Sequence, residues 1–440
     1  MLHDLNGAHR KGSAVCANSA EGGIMGTTLV HVSDIHFRSG WEENHGVVLG
    51  SFLEDVEKQK AKRGNDDVYL VLSGDVVQQG DRSESYDEFL TLFGGGLDKL
   101  GIPRSHRVCV PGNHDVSQLR VEQSLVDHEG VVSQMLDETD FNDYWEKKPL
   151  SVFSEKFGHY TAFENQFSAF PVCGASLVGA GFDLNSDVAI YCLNSALLSS
   201  GGLRGTNAEA ISDKQRLAVE TRRLNSWIQQ TQGPCRVLVM HHPLDWLQVA
   251  MARELKALIH HHFALVLSGH AHDQSTYHSL DPSGSLVWIS APPLFTNKSD
   301  LIGYGLITLI SEQPCIAEIA YRQWTQHRVF VSGVSFSGTE DGVIRIAARL
   351  AVGTQDSESS PDVVDQYLTR ELREALTAFS AQPDVWVEPI ISDKPESDPL
   401  AAEGRRFSPS QLVESPVSTV IQAPGQFGLS CLCRHLAQEA

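Results

Sequence analysis

The chain has 440 residues, of which 41% are hydrophobic, so it can form one large catalytic domain with an appendage or two to three ordinary domains. Its formal net charge is −21, from 34 basic and 55 acidic residues, and such a field repels polyanions. The charge argues against wrapping of duplex DNA, but not against a small phosphorylated substrate, because bound metal ions reverse the field locally.

The first third of the chain alternates predicted strands and helices. In order, these are a strand at 28–32, a helix at 47–62, a strand at 68–72, a helix at 86–100 and a strand at 108–110. Polar residues follow each apolar strand, and open α/β sheets bind their ligands at that edge. The alternation therefore predicts an α/β layered fold.

Three polar clusters follow these strands. Asp34 and His36 lie two positions apart and would share one face of an extended segment, so both can reach one metal, although an ordinary strand-end Asp beside a surface His fits equally well. Asp75 follows a glycine, and the third cluster is 112–115, Gly-Asn-His-Asp. His31 lies inside an apolar run and is interpreted as a packed core residue.

An aromatic-rich insert at about 116–170 interrupts the alternation. Spacings of three and four among its aromatic residues predict helices. Two interpretations stay open. The aromatic side chains pack the insert onto the body of the domain, or the insert is a cap over the site and one or two of them face the substrate.

The second half of the domain repeats the pattern. It has a predicted strand at 188–193, a helix at 213–230, a strand at 237–240, a helix at 249–262 and a strand at 265–267. The last two strands lead into four histidines at their ends, His241, His242, His270 and His272. The three histidines at 260–262 are interpreted as a solvated helix terminus, where histidine suits the helix dipole.

The C-terminal third changes character. Short strands between 275 and 330 predict a second sheet made mainly of antiparallel neighbours. Residues 331–392 are interpreted as an appendage with one helix at 363–378, and Ser, Pro, Glu and Gln dominate a tail at 393–440 that we expect to be flexible.

Cysteine usage and hydropathy indicate the compartment. The chain has eight cysteines and no CxxC pair, which favours free thiols in a reducing cytosol. Residues 1–25 are small and polar without the apolar region of a secretory signal, so we expect a disordered extension. No run approaches the ~20 apolar residues that span a bilayer. These patterns predict a cytoplasmic protein with no membrane partner.

The polar residues at the strand ends form a ligand set for two metal ions. They are two carboxylates, one carboxamide and several imidazoles, which suit Mn, Fe or Zn: Asp34, His36, Asp75, Asn113, His114, His241, His270 and His272. Two carboxylates and two divalent ions leave a charge of about +2, which attracts an anionic phosphate.

In their order along the chain, these motifs resemble the calcineurin-like metallophosphoesterase superfamily. The resemblance covers about residues 28–325 and rests on Asp34-Ile35-His36, Gly74-Asp75, Gly112 to Asp115, His241 and Gly269 to His272. It implies two mixed β-sheets packed as a sandwich flanked by helices, within a catalytic domain at 26–330.

The resemblance also implies a role for each residue. One metal would be bound by Asp34, His36, Asp75 and His272, and the other by Asp75, Asn113, His241 and His270. Asp75 would bridge the ions, and a bridging hydroxide would attack phosphorus. His114 would orient the phosphate or protonate the leaving oxygen, with Asp115 supporting its ring. His242, as the second histidine of its pair, would not be the ligand.

Two departures from the protein Ser/Thr phosphatases favour other substrates. Gln79 stands where those enzymes carry a phosphate-gripping Arg, and the third motif ends in Asp115 rather than Glu. The pattern is closer to bacterial phosphodiesterases that act on cyclic nucleotides or glycerophosphodiesters.

Three alternatives remain. They are a DNA exonuclease-like nuclease, a binding module without catalysis, and a phosphoesterase module of a larger bacterial signalling or defence system. The last would have an ATPase or signalling domain as its partner.

Overall fold

The computed structural model describes most of the first 345 residues and two short segments beyond them. These are residues 26–40, 42–64, 67–137, 151–203, 211–231, 235–271, 275–281, 284–296, 298, 301–310, 316–345, 391–392 and 406–407. The extension at 1–25, the helix predicted at 363–378 and almost all of the tail lie outside the described residues. The predicted domain boundaries therefore stay predictions.

The chain divides into two units, Met1–Arg349 and Leu350–Ala440. In the second unit the described residues form two short antiparallel strands, Ile391–Ser392 and Arg406–Phe407. All other elements belong to the first unit.

The first sheet of the larger unit combines parallel and antiparallel strands. Its strands are β1 (Thr27–Val32), β2 (Asp67–Leu72), β3 (Arg107–Cys109), β11 (Gly303–Leu309), β12 (Ile316–Trp324), β13 (Phe330–Ser332) and β14 (Val343–Arg345). The order is β13-β12-β11-β1-β2-β3, and β14 also pairs with β12. Pairing is parallel among β1, β2 and β3 and antiparallel among the others.

The second sheet is also mixed. Its strands are β4 (Cys173–Ser176), β5 (Gly179–Asp183), β6 (Val188–Leu193), β7 (Cys235–Val239), β8 (Leu265–Ser268), β9 (Ser275–Asp281) and β10 (Gly284–Ser290). Their order is β4-β5-β6-β7-β8-β10-β9. The strands β6, β7, β8 and β10 run parallel, so their carboxyl ends lie at one edge.

The two sheets pack face to face, and helices cover their outer faces. Leu29 belongs to a core that it shares with residues of the second sheet such as Val237 and Leu265. Val30 and Val32, its neighbours along β1, belong to the core shared with the helices. Both faces of the central strands are therefore buried, which explains their continuous apolar sequences. The predicted sandwich of two mixed sheets flanked by helices is confirmed.

The helices are placed between and around these strands. The longer ones are Glu42–Arg63, Ser83–Phe89, Leu125–Asp137, Gly158–Phe167, Arg222–Gln230 and Val249–His262, and the shorter ones are Gly95–Lys99, Gln118–Gln123, Ser151–Ser154 and Val334–Ser337. No helix among the described residues is both long and apolar enough to cross a bilayer.

The glycine triplet 94–96 modifies the second predicted helix rather than ending it. A π-helical turn, Leu90–Gly94, joins Ser83–Phe89 to Gly95–Lys99. A Cβ at Gly96 would overlap the side chain of Leu53 on the first helix. Glycine at this position lets the Leu53 side chain pack directly against the backbone of the second helix.

The helix predicted at 213–230 is shorter in the structure and begins at Arg222. Leu217 instead makes an isolated parallel bridge with Leu247, and its carbonyl accepts the Gln248 N–H at 2.8 Å. This contact between distant segments supplies the backbone hydrogen bonds that a helix would have used. The helix starts where the Glu220 carboxylate accepts the N–H groups of Arg222 and Arg223, at 3.0 Å in each case.

The strands after residue 275 do not form a separate sheet, which corrects the expectation from sequence. Strands β11 and β12 add to the first sheet beside β1, and β10 joins the second sheet parallel to β8. A strand's pairing partner depends on contacts distant in sequence, and periodicity does not encode it.

Five of the six described aromatic residues of the insert pack as core, and the sixth, Phe170, is 77% exposed. Phe153, Phe157, Tyr160, Phe163 and Phe167 are all buried. Phe163 stacks on Phe167 with ring centroids 5.0 Å apart. The first of the two open interpretations therefore holds for these five side chains, while residues 138–150 lie outside the described part.

Candidate metal centre

Asp34 and His36 lie in the loop after β1, and their backbone differs from the extended segment expected from sequence. Both have left-handed φ, 52° and 49°. The N–H groups of Asp34 and His36 donate to the carbonyls of Gly74 and Asp75, at 3.1 and 3.0 Å. The two side chains therefore converge because neighbouring loops hold them in a rarely populated conformation, and not through strand alternation.

Left-handed backbone is concentrated at this loop cluster. Six non-glycine residues have positive φ in the described part of the chain, and four of them are predicted ligands: Asp34, His36, Asp75 and His270. Such conformations cost roughly 1–3 kcal/mol each and persist only where surrounding contacts impose them. Their concentration here indicates that the backbone strain, which lowers the stability of the fold, serves to orient these side chains.

The Asp75 carboxylate lies at the centre of the cluster. One oxygen, Oδ1, accepts the backbone N–H of His114 at 2.8 Å. The other, Oδ2, lies 3.4 Å from Nε2 of His241 and 3.9 Å from Nε2 of His36. Burial opposes ionisation of Asp75, but positive charge at these imidazoles outweighs burial and holds its pKa well below the usual range.

Asn113, His241 and His270 form a second tight group beside Asp75. The Asn113 carboxamide oxygen lies 3.2 Å from Nε2 of His241 and 2.9 Å from Nδ1 of His270. The two imidazole nitrogens are 3.3 Å apart. Three atoms with metal-binding lone pairs thus point at one another.

His241 is oriented from behind by the backbone. Its Nδ1 lies 2.8 Å from the carbonyl oxygen of Ser73 and donates to it, so Nε2 is the nitrogen that offers a lone pair to a metal once its own proton leaves. Burial lowers the pKa of His241, but the Asp75 carboxylate outweighs burial and raises the pKa to about 9. Without a cation in the cluster, this imidazole is therefore protonated at neutral pH.

His36 faces the other side of Asp75. Its Nε2 lies 3.8 Å from Oδ1 of Asp34, whose second oxygen accepts the backbone N–H of His270 at 3.1 Å. The rings of His36 and His114 meet edge to face with centroids 4.6 Å apart. His272, the fourth predicted ligand of this group, lies outside the described residues.

His114 and Asp115 are adjacent in sequence but do not act together, which corrects the predicted support of the His114 ring by Asp115. The Nδ1 atom of His114 lies 2.9 Å from the carbonyl oxygen of Gln78. The buried Asp115 carboxylate instead accepts the N–H of Gly112 at 2.9 Å and the Tyr86 hydroxyl at 2.9 Å. It also accepts the N–H groups of Val76 and Val77, both at 3.3 Å. Asp115 therefore joins the loops that carry Asp75 and Asn113.

Two other histidine predictions have different outcomes. His31 is fully buried, and its Nε2 contacts the Ser73 hydroxyl at 2.9 Å. Burial lowers its pKa to about 3, which confirms a neutral core residue. In the run at 260–262, His260 is buried and His261 is exposed, so the interpretation as a solvated terminus is wrong for the first of them.

Three glycines lie where the loops that carry the predicted ligands approach one another closely. A Cβ at Gly112 would overlap the Asp75 carboxylate, and a Cβ at Gly74 would overlap the His241 ring. A Cβ at Gly269 would overlap the Ser33 hydroxyl. The sequence motifs contain these glycines because the backbone itself lies against the ligand side chains.

The donor atoms fit metal ions. Three overlapping groups have ligand atoms within 4.8 Å of one another: Asp34, Asp75 and His241; His36, Asp75 and His114; and His241, His242 and His270. Carboxylate, carboxamide and imidazole donors without a thiolate match Mn, Fe or Zn. Asp75 belongs to two of the groups, as a residue shared by two ions would.

The sequence between residues 27 and 274 matches the model of the calcineurin-like phosphoesterase family. The match covers more than half of the chain and includes every loop of the centre. The chain belongs to this family.

One curated relative is an uncharacterized metallophosphoesterase-like protein of Bacillus subtilis, YydB. It is 24% identical over 259 residues, which are 57% of this chain and 50% of the relative. The chain therefore spans about half the length of that relative.

Similar solved structures are more distant. A dimetal phosphatase from Danio rerio is 12% identical with a TM-score of 0.40, over 67% of this chain and 95% of that one. The purple acid phosphatase PPD1 from yellow lupin is 10% identical with a TM-score of 0.41, over 76% and 58%. The 5′-nucleotidase of Candida albicans is 14% identical with a TM-score of 0.36, over 69% and 52%.

Proposed function

We propose that the chain is a two-metal phosphoesterase that prefers phosphodiesters of a nucleotide or another small organic compound. The observation that carries the proposal is the position of Asp75. Its Oδ2 lies 3.4 Å from Nε2 of His241 and 3.9 Å from Nε2 of His36, so a single carboxylate is shared by two groups of ligand atoms. Paired ions in such sites are typically ~3.5–4 Å apart.

The family pattern and these contacts support one assignment of ligands. The first ion would be bound by Asp34, His36, Asp75 and His272. The second would be bound by Asp75, Asn113, His241 and His270. When bound, the ions supply Lewis acidity toward the phosphate oxygens and activate water at neutral pH.

His114 is the residue proposed to handle protons. Its backbone N–H donates to Asp75 at 2.8 Å and its Nδ1 lies 2.9 Å from the Gln78 carbonyl oxygen, so both its backbone and its ring are held. If Nδ1 donates to that carbonyl, Nε2 is the atom that remains to hydrogen-bond a phosphate oxygen or to protonate the leaving oxygen. In this proposal Asp115 acts on loop geometry alone.

The preference for a diester is supported by charge. Gln79, at the position of the phosphate-gripping Arg of the Ser/Thr phosphatases, is exposed. A monoester dianion gains from such an additional cation, whereas a diester carries a single charge that the metal pair can neutralise.

The test compares bis(p-nitrophenyl) phosphate with p-nitrophenyl phosphate, each with Mn²⁺ and with Zn²⁺. We expect metal-dependent hydrolysis and a higher kcat/KM for the diester. Asp75→Ala and Asn113→Ala should each lose at least about a hundredfold in kcat, because each removes a ligand. Metal-loaded protein no more active than these variants would contradict the catalytic proposal, and a higher kcat/KM for the monoester would contradict the diester preference.

A substrate panel then narrows the class. Cyclic nucleotides, dinucleotides, glycerophosphodiesters and single-stranded DNA cover the alternatives, and the net charge of −21 disfavours the nucleic acid. Hydrolysis of DNA in preference to all small esters would support the nuclease alternative.

Two further proposals concern context. The buried free thiols Cys109 and Cys192 are consistent with a reducing, cytoplasmic compartment. The match to only half of YydB is compatible with a phosphoesterase module that works with a separate ATPase or signalling domain. Co-purification of the chain from a bacterial host with such a partner would test the second proposal.

A further inference from the structure

Two adjacent histidines follow β7, and the structure gives them different surroundings. His241 and His242 are both fully buried. His241 directs Nε2 to the ligand cluster, as described above. His242 is assigned no role by the metal proposal, yet its ring lies 4.8 Å from the His241 ring and 4.5 Å from the His270 ring, between centroids.

The hydroxyl of Ser195 contacts both histidines. Its Oγ accepts the backbone N–H of His241 at 3.2 Å and that of His242 at 3.0 Å. The same Oγ lies 3.0 Å from Nδ1 of His242. A hydroxyl has two acceptor lone pairs and one proton, so after receiving two N–H groups it can only donate to the third partner.

This count determines the tautomer of His242. Because the Ser195 hydroxyl donates to Nδ1, that nitrogen carries a lone pair and the ring proton is on Nε2. The resulting Nε2–H has no hydrogen-bond partner among the described residues.

A buried N–H without an acceptor is costly, and its position beside the ligand groups suggests what it serves. A ring nitrogen of His242 lies within 4.8 Å of ligand nitrogens of His241 and His270. A protonated nitrogen cannot bind a cation but can donate to an oxygen. An acceptor oxygen in the centre would therefore complete the hydrogen bonding of this ring.

We propose that His242 donates a hydrogen bond from Nε2 to a phosphate oxygen of the ester, and that Ser195 is the positioning residue that fixes its tautomer. The donor role rests on the proposed function, whereas the tautomer does not depend on it.

The first experiment measures the tautomer in metal-free protein by ¹⁵N NMR of the histidine rings, assigned through His242→Phe. We expect an Nε2–H ring for His242 in the wild type and loss of that single tautomer in Ser195→Ala. An Nδ1–H ring for His242 in the wild type would overturn the proposal, whatever Ser195→Ala shows.

The second experiment measures bis(p-nitrophenyl) phosphate hydrolysis, inhibition by inorganic phosphate and metal content. His242→Phe and Ser195→Ala should raise KM and the inhibition constant of phosphate about three- to tenfold while two metals stay bound. The double variant should lose less than the product of the single losses, because Ser195 acts through His242.

The matched control is Ser168→Ala, which removes another buried hydroxyl, one that donates to the carbonyl of Arg107 at 3.1 Å. It should leave KM and phosphate inhibition unchanged. Equal behaviour of Ser195→Ala and Ser168→Ala would overturn the proposal. A wild type that binds metal and phosphate but hydrolyses no ester would instead contradict the proposed function.

Discussion

At the scale of single residues, the side chains of the centre use one polar atom to hydrogen-bond the backbone and direct the other toward the cluster. Asp75 and Asp34 each use one oxygen to accept a backbone N–H and turn the other toward an imidazole. His241 likewise uses Nδ1 on a carbonyl and directs Nε2 to the cluster. These three predicted ligands are thus already oriented by the protein, so less conformational entropy is lost when a metal binds.

The neighbours His114 and Asp115 allow a test that distinguishes a catalytic side chain from a structural one. His114→Asn should lower kcat by about a hundredfold or more while the free energy of unfolding changes little, because the proposed role of its ring is proton transfer. Asp115→Asn should lower the free energy of unfolding of the metal-free protein by about 2 to 4 kcal/mol. Both carboxylate oxygens accept backbone N–H groups, and the NH₂ group of an asparagine cannot replace one of these acceptors. Urea unfolding and hydrolysis assays measure both. Equal stability of the two variants would contradict the structural role of Asp115.

The glycines of the ligand loops can be tested by adding one methyl group. Gly112→Ala should reduce activity about a hundredfold, because the new Cβ displaces the Asp75 carboxylate. The control is Gly130→Ala on the helix Leu125–Asp137, where a Cβ meets no atom within 4 Å. It should keep full activity and gain about 0.5 to 1 kcal/mol in stability. Full activity of Gly112→Ala would show that the loop tolerates movement.

At the scale of elements, the insert is attached to the domain through a buried polar network. The Nζ of Lys156 is hydrogen-bonded to the carbonyl of Ser199 at 2.6 Å and contacts Nε2 of His128 at 3.1 Å. Lys156 is buried, and burial lowers its pKa to about 7 despite nearby Asp213 and Glu129. The network joins the insert to the loop after β6.

The shifted lysine predicts a pH dependence of stability. Its pKa is lower in the folded protein than the ordinary value of 10.5, so between pH 7 and 10.5 the unfolded chain binds more protons. Lys156 therefore adds stability as the pH rises through this range and loses that contribution as the pH falls through about 7. The difference in unfolding free energy between wild type and Lys156→Met should shift in favour of the wild type from pH 7 to pH 10. A difference independent of pH would contradict the shifted pKa.

At the scale of the whole molecule, loops from both sheets meet at one edge of the sandwich. Asp34, Asp75 and Asn113 follow strands of the first sheet, and His241 and His270 follow strands of the second. The centre therefore depends on the packing of the two sheets, and metal binding should stabilise the entire unit.

Metal binding should also depend on pH. The pKa of His241 is raised to about 9 by Asp75 against burial, so a metal that takes its Nε2 must displace a proton at neutral pH. The apparent affinity for Mn²⁺ should rise by up to about tenfold per pH unit from pH 6 to 8. Calorimetry in buffers of different ionisation enthalpy measures the released proton. Removal of the metal by a chelator should lower the melting temperature. If metal binding released no proton, the ligand role of His241 would be contradicted.

Much of the site was predictable from sequence because its signals are local. An apolar strand followed by a polar cluster predicts both the strand and the edge at which its last residues lie. Six of the seven predicted ligands are described, and the structure brings all six together around Asp75 or Asn113: Asp34, His36, Asp75, Asn113, His241 and His270. Their roles as ligands stay predictions.

Tertiary structure alone decided the rest, because the deciding hydrogen bonds join residues far apart in sequence. Asp115 reaches Val76 across 39 positions, and the Asp34 carboxylate holds His270 across 236. Such contacts impose the left-handed turns at Asp34 and His36, convert Asp115 from a catalytic candidate into a link between loops, and place Ser195 behind His242. Sequence alone determined which side chains gather at this edge. The fold determined which atom of each one is free to act.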